Sequence, residues 1–201
     1  MTQLKIGIDL DNTIINYQNS FKKYLREKKI HLKRINKKKI KYISNNNSKI
    51  KNWTEAQEEI YGKYIVYAKP FEYFREFEKF ALKKKIKLFI VSHKTKYSQF
   101  SKKYNLHTQS SKWIQNNIFK KRYKIFYVNT VNEKVRKIAK LSPHLFIDDL
   151  IEIFNNKNFP KKVKKIYFSK IKDDKVLTFS NWKKIKNYIN KNETFQQFYK
   201  I

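Results

Sequence analysis

Short apolar runs are separated by helix-like segments along much of the chain. The apolar runs fall at residues 4–10, 86–91, 124–128, 144–147 and 163–168. Helical spacing of apolar residues marks residues 110–118, 132–141 and 181–190, the last with Ser180 as its expected cap. Strands that alternate with helices are typical of a parallel sheet covered by helices on both faces. The pattern therefore predicts an α/β fold with a Rossmann-like sheet.

Residues 16–72 interrupt this alternation with helical signals only. Apolar residues recur at helical spacing over residues 17–29, and Thr54 with Gln57 three positions later forms a capping box for a second helix. A helical segment of this kind indicates an insertion over one end of the sheet. We therefore predict a Rossmann-like core from residues 1–15 and 73–201 and a helical cap from residues 16–72.

Polar side chains follow the apolar runs at three places. They are Asp9 and Asp11 at the end of the first run, Ser92, His93 and Lys94 after the second, and Asp148 and Asp149 after residues 144–147. One such pair could simply cap a turn or a helix, but open α/β sheets bind ligands at strand ends, so the recurrence favours a site. Four carboxylates repel one another without a cation, and Mg²⁺ accepts carboxylates, waters and phosphate oxygens. We therefore predict a Mg²⁺ site where one carboxylate attacks phosphorus and another moves a proton.

These residues resemble the four motifs of the haloacid dehalogenase (HAD) superfamily of phosphohydrolases. Asp9-Leu10-Asp11-Asn12-Thr13 resembles the DxDxT motif, Ser92 the second motif, Lys134 the third, and Asp148-Asp149 the fourth. Motif order and spacing agree over nearly the whole chain. Residues 91–96, 104–107 and 146–160 are similar to a group of bacterial, nucleotidase-like HAD proteins that has no assigned substrate. The resemblance therefore implies a reaction type and leaves the substrate open.

The resemblance implies catalytic and metal-binding roles for four aspartates. Asp9 would be the nucleophile that forms an aspartyl-phosphate, and Asp11 would be the general acid and then the general base. Mg²⁺ would be held by Asp9, the backbone carbonyl of Asp11, and Asp148, with Asp149 as a further ligand or a supporting partner. A metal and a carboxylate used in this way split one phosphoryl displacement into two steps.

The resemblance also implies residues that bind the phosphoryl group. Ser92 and Lys134 would hold its oxygens, and Thr13 would orient the loop after the first strand. Lys137 and Lys140 lie on the same predicted helix as Lys134. We prefer Lys134 because it falls in the first helical turn, at the distance from the fourth motif that the superfamily shows.

Five further residues have two interpretations each. His93 and Lys94 directly follow the second motif, and we include both among the predicted phosphate-binding residues, although a histidine in a loop can also bond to backbone. Trp53, Tyr61 and Tyr64 could stack on a base or a sugar, or they could pack within the helical cap. The sequence leaves both interpretations open.

The chain departs from the superfamily pattern just before the predicted helix at residues 71–84. HAD proteins often have a glycine-containing turn after the proline that precedes the second-motif strand. Here Pro70 is followed by Phe71, Glu72 and Tyr73. The departure concerns the cap and its hinge and leaves the catalytic set unchanged.

The formal net charge of +32 is the most unusual feature of the composition. Richness in Lys, Asn, Ile, Phe and Tyr is typical of AT-rich coding DNA, but clustered lysines also bind polyanions. Glu27 is the one acidic residue between positions 22 and 51, and we hypothesise that this basic part of the cap favours multiply anionic substrates.

The sequence therefore predicts a Mg²⁺-dependent phosphomonoesterase that acts on a small organic phosphate, such as a nucleotide or a sugar phosphate. The alternatives are a phosphatase that acts on nucleic-acid ends and a basic nucleic-acid-binding protein that kept the fold. The absence of cysteine excludes thiol catalysis and disulfides. No apolar run approaches the roughly 20 residues that span a membrane, and residues 1–5 lack the features of a signal peptide. We expect a cytoplasmic protein.

Overall fold

The computed structural model describes residues 3–32, 35, 37–118 and 123–198. These residues form two compact units. The first takes the described parts of Met1–Ile15, Pro70–His93 and Phe119–Ile201, and the second takes those of Asn16–Lys69 and Lys94–Ile118. The predicted cap, residues 16–72, covers one of the two segments of the second unit. Residues 94–118, which the sequence pattern assigns to the core, are the other segment.

A parallel six-stranded sheet forms the centre of the first unit. The strands of the protein are β1 (Lys5–Ile8), β2 (Ile15–Asn16), β3 (Lys69–Pro70), β4 (Lys87–His93), β5 (Tyr123–Val128), β6 (Leu145–Asp148), β7 (Lys164–Phe168) and β8 (Leu177–Phe179). The large sheet has the order β5-β4-β1-β6-β7-β8, and β2 and β3 form a separate two-stranded sheet. The chain thus fills the sheet on one side of β1 and then on the other, and ligands of open α/β sheets bind at such reversals.

Helices follow the strands as the pattern predicts. They are α1 (Gln18–Glu27), α2 (Lys37–Asn46), α3 (Trp53–Tyr61), α4 (Phe74–Lys83), α5 (Leu106–Asn117), α6 (Val131–Leu141), α7 (Ile151–Asn155), α8 (Trp182–Lys191) and α9 (Glu193–Gln196), with a 3₁₀ helix at Lys63–Tyr67. The first unit holds α4 and α6–α9, and the second holds α1–α3, α5 and the 3₁₀ helix. Over the described ranges, no helix is both long enough and apolar enough to cross a membrane.

Helices cover both faces of the large sheet, which confirms the predicted α/β architecture. On one face, Phe146 of β6 packs with Val135 and other apolar residues of α6 and α7. On the other face, Phe77 of α4 and Phe168 of β7 pack against Trp182 of α8, with ring centroids 4.7 and 5.6 Å from the indole. The sheet is therefore buried on both sides, which explains why its strands read as continuous apolar runs.

Gly7 makes room for the aromatic packing beside β1. It pairs with Phe146 in the register between β1 and β6. A Cβ atom at position 7 would clash with Cδ2 of Phe146. Only a glycine leaves room for this ring beside β1, where Phe146 is part of the apolar core.

Contacts with α3 hold the segment after β4 in the second unit. The carboxylate of Glu58 is buried and accepts hydrogen bonds from Oγ of Ser101 at 2.8 Å and from the backbone N–H of Lys103 at 3.2 Å. The ring of Tyr104 lies 2.5 Å from the position that a Cβ of Gly62 would occupy. Because these contacts join residues 94–118 to α3, the second unit contains more than the predicted insertion.

Two predicted helix caps are wrong by one or two residues. The sequence predicts Thr54 as the cap of the helix that is α3 in the structure, but the N-cap of α3 is Asn52, whose side chain accepts a first-turn N–H. Ser180 was expected to cap the last long helix, but Asn181 does so in the same way. Asn caps a helix as well as Ser or Thr, so several adjacent candidates compete and the sequence alone does not rank them.

The start of α4 also differs from its prediction. The helix begins at Phe74, three residues later than expected, because its N-cap residue Tyr73 has a φ of 63°. This left-handed region favours glycine. The strained residue lies in the turn where the sequence lacks the glycine that HAD proteins often have.

Candidate active site

β1, β4 and β6 run side by side and carry polar residues at their carboxyl ends. Ile8, the last residue of β1, pairs with Ile147 of β6, and the N–H of Asp9 donates to the carbonyl of Ile147 at 2.9 Å. Asp9 therefore leaves β1 next to the position where Asp148 ends β6. Ser92 lies near the end of β4, the other neighbour of β1. The structure thus brings the first, second and fourth predicted motifs to one edge of the sheet.

Lys134 supplies a positive charge between two of these carboxylates. It lies in the first turn of α6, whose N-cap Thr130 accepts a hydrogen bond from a first-turn N–H. Its side chain is fully buried, and its Nζ lies 2.6 Å from Oδ1 of Asp9 and 2.7 Å from Oδ2 of Asp148. A buried ammonium is stable only when it is paired, so the two carboxylates and the lysine depend on one another.

Burial dominates the electrostatics of this cluster. It raises the pKa of Asp9 above its ordinary value, against the lowering effect of Lys134, and the nearby charge of Asp11 raises it further. Burial likewise raises the pKa of Asp148 to about 7, again opposed by Lys134. Burial would lower the pKa of Lys134, but Asp148 and Asp9 outweigh it and raise that pKa, so the lysine stays charged. Two buried carboxylates thus share one cation.

Three carboxylates are close enough to hold a further cation. Oxygen atoms of Asp9, Asp148 and Asp149 all lie within 4.8 Å of one another. Oγ1 of Thr13 donates to Oδ1 of Asp149 at 3.4 Å, and the N–H of Leu150 donates to Oδ1 of Asp148 at 3.0 Å. Carboxylate oxygens are the ligands that Mg²⁺ takes in proteins, so this donor set fits the predicted metal.

The loop after Asp9 is a tight backbone turn. The N–H groups of Ile14 and Ile15 both donate to the carbonyl of Leu10, at 3.0 and 2.9 Å. Asp11 lies in this turn and is partly buried. Among the described residues, its carboxylate is not one of the three that lie within 4.8 Å of one another. Its negative charge nevertheless raises the pKa of Asp9.

The residues at and after the end of β4 have different surroundings. Oγ of Ser92 is fully buried and has no hydrogen-bond partner in the described part of the chain. His93 is exposed, and its Nε2 lies 2.8 Å from the carbonyl oxygen of Asn129. Lys94 belongs to the second unit, where its Nζ lies 5.0 Å from the ring centroid of Tyr61. Ser92 thus has a buried hydroxyl near the carboxyl end of β4 that a ligand could engage.

The lysines of α6 that competed with Lys134 have solvent or an aromatic ring near them. Lys140 is exposed, and Nζ of Lys137 lies 4.7 Å above the ring of Phe126. In the second unit, Tyr61 and Tyr64 are buried, and Tyr61 packs edge-on against Tyr17, whereas Trp53 is partly buried. These positions favour packing for the two tyrosines.

One contact of the loop after Asp9 has no signal in the sequence. Nε1 of Trp182, at the start of α8, donates to the backbone carbonyl of Thr13 at 2.9 Å. The two residues are 169 positions apart, and Trp182 lies outside all four motifs. The helical spacing of apolar residues over 181–190 predicts that Trp182 is buried, but it does not predict which residue the indole contacts.

No protein-family model matches the sequence, and neither does any curated protein. Solved structures do match. A HAD-superfamily hydrolase from Ehrlichia chaffeensis is 16% identical with a TM-score of 0.54, and the match covers 98% of each chain. A HAD-hydrolase from Bacillus subtilis, bound to magnesium, is 12% identical with a TM-score of 0.60 over 94% of this chain and 100% of that one. A protein described as a beta-phosphoglucomutase from Thermotoga maritima is 12% identical with a TM-score of 0.58 over 94% and 99%.

The chain has the HAD fold. At these identities the likeness extends to the fold and leaves the activity open. It does explain why the DxDxT-like stretch and the Asp148-Asp149 pair meet, because β1 and β6 are neighbours in this sheet. The HAD fold thereby places Asp9, Ser92, Lys134 and Asp148 in the first unit, at the carboxyl ends of strands or next to them.

Proposed function

We propose that the protein is a Mg²⁺-dependent phosphomonoester hydrolase that works through a phosphorylated Asp9. The observation that carries the proposal is the buried ammonium of Lys134 between the carboxylates of Asp9 and Asp148. A lysine in this position offsets the charge of an attacking carboxylate and stabilises charge on a phosphoryl group. The expected substrate is a small organic phosphate, such as a nucleotide or a sugar phosphate.

The reaction would proceed in two displacements. A carboxylate oxygen of Asp9 attacks phosphorus, the bond to the leaving oxygen breaks, and Asp11 donates a proton to that oxygen. Asp11 then takes a proton from a water molecule that attacks the phosphorus of the aspartyl-phosphate. The bond between that phosphorus and the Asp9 oxygen breaks, which regenerates the Asp9 carboxylate and releases inorganic phosphate. Asp11 suits this role because it lies in the loop after Asp9 and is less buried than Asp9.

Further groups would bind the metal and the phosphoryl oxygens. Asp9, Asp148 and Asp149 would hold Mg²⁺, which when bound supplies positive charge to the phosphoryl group. Ser92 supports an oxyanion contact, because it lies near the carboxyl end of β4 and its buried hydroxyl has no hydrogen-bond partner among the described residues. Thr13 orients Asp149 in this proposal.

The second unit would act as the cap that selects the substrate and excludes water, as inserted units do in many enzymes. Its basic segment, residues 22–51, would favour anionic substrates. The names of two similar structures, the beta-phosphoglucomutase and a predicted phosphoglycolate phosphatase from Haemophilus somnus, support a small phosphorylated substrate. Substrate contacts of His93 and Lys94 and the cytoplasmic location stay predictions.

The test is phosphate release from a panel of nucleotides, sugar phosphates and oligonucleotides phosphorylated at the 3′ or 5′ end. Each substrate is offered to the wild-type protein with Mg²⁺ and with EDTA, and to Asp9→Asn. Asp174→Asn is the matched control, because it makes the same change at an exposed carboxylate of the first unit.

We expect turnover that requires both Mg²⁺ and Asp9 and that is retained in Asp174→Asn. Preference for the phosphorylated oligonucleotides would move the substrate to nucleic-acid ends. Turnover that persists in Asp9→Asn would refute the aspartyl-phosphate route, and the absence of turnover on the whole panel would overturn the proposed substrate class.

A further inference from the structure

The loop that carries Asp11 and Thr13 is bonded to α8 through the backbone carbonyl of Thr13. The carbonyl of Leu10 accepts the N–H groups of Ile14 and Ile15, which closes the turn. Thr13 is fully buried, and its carbonyl accepts the indole N–H of Trp182 at 2.9 Å. A buried carbonyl without a partner is costly, so this contact ties the conformation of the loop to α8.

Trp182 is itself held firmly. It is the first residue of α8, behind the N-cap Asn181, and it is fully buried. Its ring lies 4.7 Å from Phe74 and 4.7 Å from Phe77 between centroids, and 5.6 Å from Phe168. An indole fixed by three aromatic rings has little freedom to follow the loop, so the loop must conform to the indole.

The side chain of Thr13 contacts the group of three carboxylates. Its hydroxyl donates to Asp149 at 3.4 Å, and Asp149 is one of the three carboxylates that lie within 4.8 Å of one another. Thr13 therefore joins Trp182, through its carbonyl, to the candidate metal ligands, through its side chain. A shift of Thr13 would move the hydroxyl and the neighbouring Asp11 together.

We propose that Trp182 is a positioning residue of the active site, which holds the loop after Asp9 through the carbonyl of Thr13. The competing explanation is that Trp182 only fills the core. The two explanations differ in what the indole N–H contributes, because packing needs the rings while positioning also needs the donor. As far as turnover is concerned, the inference rests on the proposed phosphatase function.

Trp182→Phe keeps an aromatic ring and removes the N–H donor. The chain offers a matched control in the second unit, where Trp113 is also buried and donates Nε1–H to the carbonyl of Ala68 at 3.0 Å. Trp113→Phe therefore makes the same chemical change at a similar contact within the second unit, to a carbonyl that is not part of the loop after Asp9. Both variants are compared with wild type by amide hydrogen exchange and by kinetics.

We expect the amides of Ile14 and Ile15 to exchange about tenfold faster in Trp182→Phe, since one buried hydrogen bond is lost. Trp113→Phe leaves their exchange unchanged, and Ile90 in β4 reports any general loss of stability. The kcat of Trp182→Phe falls about tenfold with little change in KM, because binding groups stay while Asp11 is misplaced. Equal exchange and equal kcat in the two variants would overturn the proposal.

Hydrogen exchange separates this inference from the proposed function. If wild type has no turnover on any substrate, the exchange rates of Ile14 and Ile15 still decide whether Trp182 holds the loop. If Trp182→Phe fails to fold, the indole N–H of Trp182 in wild type is measured directly. We expect it to exchange at the rate of those two amides, and exchange many times faster would refute the anchor.

Discussion

Replacing Lys134 by Met tests the central feature of the site, the single ammonium that two buried carboxylates share. Methionine has a similar length and no charge, so the main change is electrostatic. Without the lysine, Asp9 and Asp148 face each other in a region that excludes water. The folded protein can relieve their repulsion by taking up one more proton than wild type does.

The cost of that proton sets the expected loss of stability. Asp148 already has a pKa of about 7 in the intact cluster, whereas the ordinary value for Asp9 is 3.8. Protonating a carboxyl with that ordinary value costs about 4 kcal/mol at pH 7 and about 2 kcal/mol at pH 5, at 1.36 kcal/mol per pH unit. The first figure agrees with the 3–5 kcal/mol typical of breaking a buried ion pair.

We therefore expect Lys134→Met to lower the free energy of unfolding by about 4 kcal/mol at pH 7 and by about half as much at pH 5. The folded variant binds the extra proton, so its deficit shrinks as the pH falls. Urea unfolding in EDTA at the two pH values measures it. In the same variant, kcat falls about 100- to 1000-fold, as for loss of one donor to a transition-state oxyanion.

Lys140→Met, an exposed change on the same helix, is the control and should leave stability and kcat near wild type. Adding Asp9→Asn to Lys134→Met should restore much of the lost stability, because one of the two unpaired carboxylates is then absent. A deficit that is equal at both pH values would show that lost packing is the cause. Wild-type stability in Lys134→Met would refute the shared-cation argument altogether.

Three other predictions address single residues. Gly7→Ala should lower the free energy of unfolding by about 1–3 kcal/mol, since its Cβ would press on Phe146; an unchanged urea midpoint would contradict this. Burial lowers the pKa of His144, whose Nδ1 accepts the N–H of Lys5 at 2.9 Å, so its contribution to stability is present above about pH 6.5 and lost as the pH falls. The free energy of unfolding of His144→Gln should therefore fall less than that of wild type between about pH 8 and pH 5. Parallel curves of unfolding free energy against pH for the two proteins would refute this prediction. Ser92→Ala should keep or raise stability, because it removes a buried hydroxyl without a partner among the described residues, yet lower kcat/KM about 100-fold; full activity would exclude Ser92 from the site.

Much of the first unit could be predicted from the sequence because a parallel sheet buries both faces of its strands. Each strand is then a short apolar run, and its end is visible as the first polar residue. Asp9 and Asp148 stand at such ends, so their convergence followed from neighbouring strands. Lys134 could be preferred because the third motif lies in a first helical turn, but its complete burial could not be seen in the sequence.

The parts that could not be predicted depend on contacts between distant residues. The bond from Trp182 to Thr13 joins a helix to a loop, and neither end has a local pattern that selects its partner. The sequence pattern assigns residues 94–118 to the core because they follow a core strand. In the structure, hydrogen bonds to the buried carboxylate of Glu58 join this segment to α3. Tyr73 adopts a left-handed φ, which its side chain disfavours locally, so the surrounding structure must impose it.

In a chain this basic, the acids locate the site better than the lysines do. The sequence has 48 lysine and arginine residues and 16 acidic ones, so a lysine near any given point carries little information. Three carboxylates whose oxygens lie within 4.8 Å of one another carry more information, because the negative charge of each makes ionisation of the others less favourable. Such a group persists in a fold only when cations compensate its charge or when some of its carboxylates take up a proton. Lys134 provides one positive charge, and the charge balance of the cluster is the physical reason to expect a second from a metal.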